Sequence, residues 1–375
     1  MTRRGFGEGG IYQRADGRWV AAVDLGCRNG RRHRKVVYGK TRREAREKLV
    51  QVQTALGSGI AVDKDRQAVE QFLGVWLDEV CRPNLGLKTV RTYETVVRVH
   101  LVPHIGRIRL SKLAAQDVQV MLNAVSASGR APRTVQMIRA VLRQALAWAV
   151  RWGLVSRNVA VMVEPPRTTR HERRPLTPAE ARPFVEAIRG DRLEALLLLA
   201  LATGMRQGEI LGLQWSEVDL EIHQLRVTKS LSRVAGARLV DPKTERSRRL
   251  LALSPSIVTA IRAHRTIQIQ GRLLAGSRWV DSGLVFTTSI GTPLDGPTVT
   301  RRLHRILAAA ELPQITFHDL RHSCASLMLA QGVAPRVVME TLGHSDIRLT
   351  MNVYTHVAAE LQQDAAARME RLLGS

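Results

Sequence analysis

The chain reads as a multidomain protein: a small three-stranded β-sheet with one helix, then an all-helical unit, then a larger, mainly helical α+β domain. Three observations carry that reading. At 375 residues the chain exceeds one ordinary domain. Its first 60 residues hold two hairpin signals and a helix-capping box. The stretch "EPPRTTRHERRP" at 164–175, rich in proline and basic residues and without apolar periodicity, separates two helical patterns as a linker does. The expected boundaries are 1–60, 66–162, a linker at 163–175, and 176–375.

In the first unit, "GIYQRADGRWVAAVDLG" and "RRHRKVVYG" hold β-formers broken by Asp16-Gly17 and Asn29-Gly30, dipeptides that supply the positive φ of tight hairpin turns. Three short strands follow from them. Thr41 and Glu44 then form a T-x-x-E capping box at the start of a helix. In the second unit, Val69, Phe72, Leu73, Trp76 and Val80, and then Val90, Tyr93 and Val97, recur at helical spacing. "AQDVQVMLNAV" and "PRTVQMIRAVLRQALAWAVRWG" complete a four-helix unit, the last helix opening on proline and closing at Gly153. In the third, a second capping box at Thr177 and Glu180 starts the domain. Helical patterns at 178–189 and 191–213 give way to β-like "HQLRVTKS" and "RRLLALS", joined through "DPKTERS", which reads as a turn. Helices are expected at 255–274, 296–310 and 318–331, with a short strand "LVFTT" before the second of them.

Lys and Arg number 57 against 33 Asp and Glu, a formal net charge of +24. That excess points to a polyanionic partner, nucleic acid first and an anionic membrane second. The first 50 residues alone hold 14 basic and 5 acidic side chains. The longest apolar run, "ALLLLALA" at 195–202, is too short to span a bilayer, and "MTRRGFGEGG" lacks the apolar segment of a signal peptide, so a cytoplasmic protein is expected. Cys27, Cys81 and Cys324 are far apart and odd in number, which suggests neither a disulfide framework nor a cysteine zinc site.

"FHDLRHSCASLMLAQG" at 317–332 combines an apolar stripe (Leu320, Cys324, Leu327, Met328) with His318, Arg321 and His322. Helical spacing predicts that these three polar residues share a face away from the stripe. Three further groupings stand out in the same domain: "TGMRQGEI" with Arg206 and Glu209, "PKTERSRR" with Lys243, and "LGHSDIRLTMNVYTH" with His344 and Tyr354. Of four tyrosines, Tyr354 alone lies in this last domain, 10 residues after His344. His318 and His322 have the i, i+4 spacing of zinc-binding helices. H-D-L-R-H, however, lacks the Glu of H-E-x-x-H and sets Arg321 beside the supposed ion, so no metal site is expected.

Together these residues resemble the tyrosine recombinase (phage integrase) family, whose signature is an Arg in T-G-x-R-x-x-E, a Lys in a β-hairpin, H-x-x-R, a second His after L-G, and a nucleophilic Tyr. They occur here in that order as Arg206, Lys243, His318, Arg321, His344 and Tyr354. The helical unit is similar to the family's SAM-like core-binding domain, and residues 1–60 to the arm-type DNA-binding domain of bivalent integrases. The resemblance implies a site-specific DNA recombinase that cuts and rejoins strands through a 3′-phosphotyrosyl intermediate, integrating and excising a phage or other mobile element. It also implies double-stranded attachment sites as substrate, a tetramer on DNA, a host bending factor and an excisionase as accessory partners, and a place on the nucleoid. Glu209 then supports Arg206 or His318 from behind. Arg14, Arg18, Arg31, Arg32 and Arg34 are candidates for a sheet face that reads DNA. Covalent catalysis stores the bond, and no G-x-x-x-x-G-K-[ST] loop is present, so neither metal nor ATP is expected. The alternative is a catalytically silent DNA-binding regulator of the same fold. The amphipathic "VAAELQQDAAARMERLL" after Tyr354 is suited to docking on a neighbouring protomer.

Overall fold

The computed structural model describes residues 9–28, 31–57, 67–166, 174–234, 236–241, 247–343, 366 and 369–374, with the backbone alone at 25–28, 31–33 and 55–57. The chain divides into two compact units, Met1–Arg170 and His171–Ser375.

In the first unit, β1 (Gly9–Gln13), β2 (Trp19–Arg28) and β3 (Arg31–Gly39) form an antiparallel sheet in the order β1-β2-β3. Gly17 makes the first turn at φ +79°, and the Arg18 N–H donates to Asp16 Oδ1. Asn29-Gly30 lies outside the described residues. Helix α1 (Arg42–Gly57) starts at the expected cap: Thr41 Oγ1 accepts the Glu44 N–H at 3.2 Å. The return bond differs by one residue, since the Glu44 carboxylate accepts the N–H of Lys40. The residues that alternate inward, Ala21 and Val23, pack on Ala45 and Leu49 to make a small core.

The helical part of this unit has its own, larger core. Helix α2 (Val69–Trp76) passes through a π turn at Leu77–Cys81 into α3 (Arg82–Asn84), and α4 (Leu87–Val96) passes through another at Val97–Leu101 into α5 (Val102–Ile105). Each π turn stands just ahead of a proline, Pro83 or Pro103. A proline ring has no N–H to give and crowds the carbonyl four residues back, so a widened turn lets the rod continue. With α6 (Ala115–Ala127) and α7 (Pro132–Arg151) these make the four rods that periodicity predicts, around Phe72, Leu73, Trp76, Leu101, Ile138 and Leu142.

The second unit opens with α8 (Pro178–Ala187), capped by Thr177 and Glu180 as expected. The single helix expected over 191–213 is two, α9 (Glu194–Thr203) and α10 (Gln207–Leu211), broken at Gly204. Strands β4 (Val218–Asp219), β5 (Gln224–Val227) and β8 (Arg249–Ala252) form one antiparallel sheet. A ribbon of β6 (Ser230–Ser232) and β7 (Arg238–Val240) precedes the expected turn, so the connection from β5 to β8 is longer than the sequence suggests. Helices α11 (Pro255–Ala275), α12 (Gly296–Ala309), α13 (Phe317–Ala330) and α14 (Pro335–Leu342) complete the unit. "LVFTT" is not a strand; it makes only single bridges at Leu284 and Thr287. Its carbonyls are taken instead by α11 side chains, Gln268 Nε2 reaching Leu284 O and Val285 O and the His264 ring contacting Val285 O, which leaves little for a ladder. Among the described residues, no helix is long and apolar enough to cross a membrane.

Candidate functional site

Helix α9 is almost wholly apolar and buried at seven of its ten positions, so its end delivers the following loop into the interior. Gly204 ends it in the left-handed region at φ +61°, and a Cβ there would stand 2.2 Å from Leu342 Cδ2 of α14. Glycine therefore serves twice at this point, by conformation and by close approach. The turn leaves Arg206 extended at the N-cap of α10 rather than inside a helix, as the T-G-x-R-x-x-E pattern suggested. One turn on, Gly208 lets β6 approach: a Cβ would lie 2.6 Å from Ser230 Oγ.

Glu209, 3% exposed, gathers the arginines. Its Oε1 accepts from Arg206 Nη1 at 2.7 Å, and its Oε2 accepts from the Arg206 backbone N–H at 3.0 Å and from Arg249 Nη2 at 3.0 Å. Burial alone would push this carboxyl up. The Arg249 charge and the hydrogen bonds from both arginines outweigh burial and hold it below its ordinary value. The Arg206 side chain is 41% exposed, so one end of it is tied to Glu209 while solvent reaches the rest.

On α13, Thr316 caps the helix reciprocally with Asp319. The expectation that His318, Arg321 and His322 share an outward face is corrected here. His318 is exposed and His322 half-buried, their rings meeting edge to face at 5.0 Å, but Arg321 is 3% exposed. Helix α13 is enclosed on most sides, with Leu320 in the main core and Cys324 and Leu329 in a second cluster with Val338 and Leu342. Arg321 Nη1 donates to Gly204 O at 2.7 Å. Its Nη2 is buried with no hydrogen-bond partner among the described residues. Burial first, then repulsion by Arg206 and Arg249, pushes this guanidinium down to about 9, which leaves it charged at neutral pH.

Three guanidiniums thus gather around Glu209, and one of them, Arg321, has a buried donor with no partner among the described residues. An excess of fixed, largely desolvated positive charge with such a donor suits an oxyanion. Lys243, His344 and Tyr354 lie outside the described residues. Arg14, Arg18 and Arg34 are exposed on the first unit, and only the backbone of Arg31 and Arg32, in β3, is described. Arg249 is the residue that sequence reasoning missed. Its signal was present in "RRLLALS", where strand alternation puts Arg249 in phase with buried Leu251 and against exposed Leu250.

Residues 174–360 match the model of the phage integrase family, and residues 68–126 that of the phage integrase N-terminal SAM-like domain. A tyrosine recombinase XerC-like protein of Caldanaerobacter subterraneus is 30% identical over 92% of this chain and 93% of its own length. An integrase of Streptomyces ambofaciens is 31% identical over 98% of this chain and 97% of its own. In fold, the chain is similar to the Tn1549 transposon integrase solved with a circular intermediate DNA (TM-score 0.69, 21% identity, 82% of this chain and 99% of that one). It is similar also to the lambda integrase solved as a tetramer bound to a Holliday junction (TM-score 0.59, 19% identity, 94% and 96%).

Proposed function

Because the chain belongs to the phage integrase family and is a site-specific DNA recombinase of the tyrosine type, we propose that Tyr354 cuts DNA at a phosphate held by Arg206 and Arg321. The observation that carries this is the buried Nη2 of Arg321, without a hydrogen-bond partner among the described residues and near Arg206, with Glu209 balancing only part of the charge. Leaving such a donor unpaired costs about 1–3 kcal/mol, more for a charged group, which a bound phosphate oxygen would recover.

The phenolate oxygen of Tyr354 attacks phosphorus, the bond to the 5′-oxygen breaks, and Lys243 gives that oxygen its proton. A free tyrosine, with a pKa of about 10, is ionised only about 0.1% at pH 7, roughly 4 kcal/mol uphill, so nearby cations matter to the nucleophile as well as to the phosphate. His318 assists proton transfer and His344 donates to a non-bridging oxygen. The 3′-phosphotyrosyl bond keeps the energy of the broken link, and the free 5′-hydroxyl attacks the matching bond on a partner strand. Neither metal nor ATP is needed, because two guanidiniums supply the charge that a metal supplies in many nucleases.

Double-stranded attachment sites are the substrate. The exposed arginines Arg14 and Arg18 at the β1–β2 turn, with Arg31, Arg32 and Arg34 on β3, contact arm-type DNA. Four protomers assemble on two duplexes, with a host bending factor and an excisionase setting direction, on the nucleoid in the cytoplasm.

Nicked suicide duplexes tiled from the DNA flanking the gene, incubated with wild type and with Tyr354→Phe in the absence of metal and ATP, test this reading. An SDS-resistant adduct formed by the wild type alone is expected. Binding without adduct by both proteins on every tile would overturn strand transfer and leave a silent DNA-binding protein.

A further inference from the structure

Arg249 opens β8 on the strand's inward phase, with its side chain 6% exposed. Unlike Arg321, it has every guanidinium nitrogen engaged. Nη2 donates to Glu209 Oε2 at 3.0 Å, Nε to Thr341 O at 2.6 Å, and Nη1 to Ser247 O at 3.1 Å. It therefore has little left to offer a phosphate. Its acceptors belong to three separate segments: α10, the last turn of α14, and the approach to β8. Each segment leads directly to a candidate catalytic residue. Arg206 caps α10, His344 follows Thr341 by three residues, and Lys243 precedes Ser247 by four.

We infer that Arg249 is a positioning residue that locks these three segments into one register, and that without its planar fork the phosphate clamp is present but misplaced. The inference rests on the recombinase reading above. Two effects of Arg249 are separable. Its charge keeps Glu209 ionised despite burial, and its geometry aims Oε1 of Glu209 at Arg206 while tying the α14 carbonyl to the same plane. Lysine at this position retains the charge as a single point but cannot reach three acceptors in fixed directions. A displacement of an ångström at a catalytic group is enough to cost about 100-fold in rate.

The test uses the full chain as wild type, Arg249→Lys and Arg249→Met. On the DNA-free protein, amide hydrogen exchange should rise in both variants over 207–211 and 335–343 and stay unchanged over 194–203. On the suicide duplex that traps the wild type, Arg249→Lys should lose about 100-fold in the saturated single-turnover cleavage rate, while the duplex concentration giving half saturation stays within about twofold. Combining it with Glu209→Gln should cost little more than the larger single change, because residues acting as a unit are not additive. Undiminished cleavage by Arg249→Lys, or binding and cleavage falling in parallel with the melting temperature, would overturn the positioning role and leave the recombinase reading standing. No adduct from the wild type on any duplex would remove the recombinase reading, and this role with it.

Discussion

Three arginines of the first unit and two of the second put the same residue in opposite surroundings. Arg14, Arg18 and Arg34 stand in solvent around a thin sheet with a small core, whereas the side chains of Arg249 and Arg321 lie almost wholly buried around Glu209. Exposed guanidiniums keep their hydration and attract any polyanion nearby, with an attraction that salt screens. Buried ones have lost their hydration during folding, so their charge is fixed in place and cannot be relaxed away by water. The first arrangement favours capture of DNA along its length. The second favours one phosphate in one geometry.

The sharpest way to break this contrast is to remove Glu209, the buried carboxylate that Arg206 and Arg249 share. Glu209→Gln leaves Arg206 and Arg249 facing a neutral amide, and breaking such a buried pair from one side should cost roughly 3–5 kcal/mol, read as a fall in urea midpoint at constant slope. A loss below about 1 kcal/mol would mean that the arginines are hydrated after all. Arg321→Lys comes next. Its single ammonium cannot serve Gly204 O and a phosphate oxygen together, so cleavage should fall by about 10²–10³-fold, the usual consequence of losing one preorganised donor, with duplex binding little changed in a gel-shift titration.

A pH profile sharpens the contrast further. At limiting duplex, cleavage should decline as the pH rises through about 9, where Arg321 gives up its proton in the free enzyme, and saturating duplex should move the decline upward because a bound phosphate favours the charged form. The folded value lies below that of an ordinary guanidinium, so the charged group costs the fold at lower pH and the cost is relieved as pH rises. Thermal stability should therefore not fall on this group's account through the same window. A profile flat beyond that point would show that the buried Arg321 keeps its proton. The smallest effect belongs to the first unit: replacing Arg14, Arg18 and Arg34 together by alanine should leave stability within about 0.5 kcal/mol per site. It should also flatten the slope of log affinity against log salt by about 0.9 for each phosphate contact removed. An unchanged slope would take the sheet off the DNA.

Part of the arginine cluster was legible in the chain. Order and spacing singled out Arg206, Glu209, His318 and Arg321, and the structure brings Arg206 and Glu209 into contact and couples Arg321 to both. Arg249 went unnoticed because, next to Arg248 in a basic turn, it resembles a solvated charge until strand phase is counted. The outward cluster on α13 was misjudged for a related reason. Spacing tells which residues are neighbours on a helix, but whether that face meets water depends on α9 and α14, which the helix's own sequence does not contain.

What the sequence by itself determined are the local elements and their chemistry. Caps at Thr41 and Thr177 start helices, periodicity builds the four rods of the first unit, and the succession of motifs identifies the family. Each rests on interactions within a few residues along the chain. What only the tertiary structure decided is burial and partnership. Arg321 meets the carbonyl of Gly204 from 117 residues away, and Arg249 meets Glu209 and Thr341 across 40 and 92. A charge's dielectric surroundings and its partners come from segments that only folding brings together, and for an arginine those surroundings decide whether its charge is screened by water or fixed and desolvated.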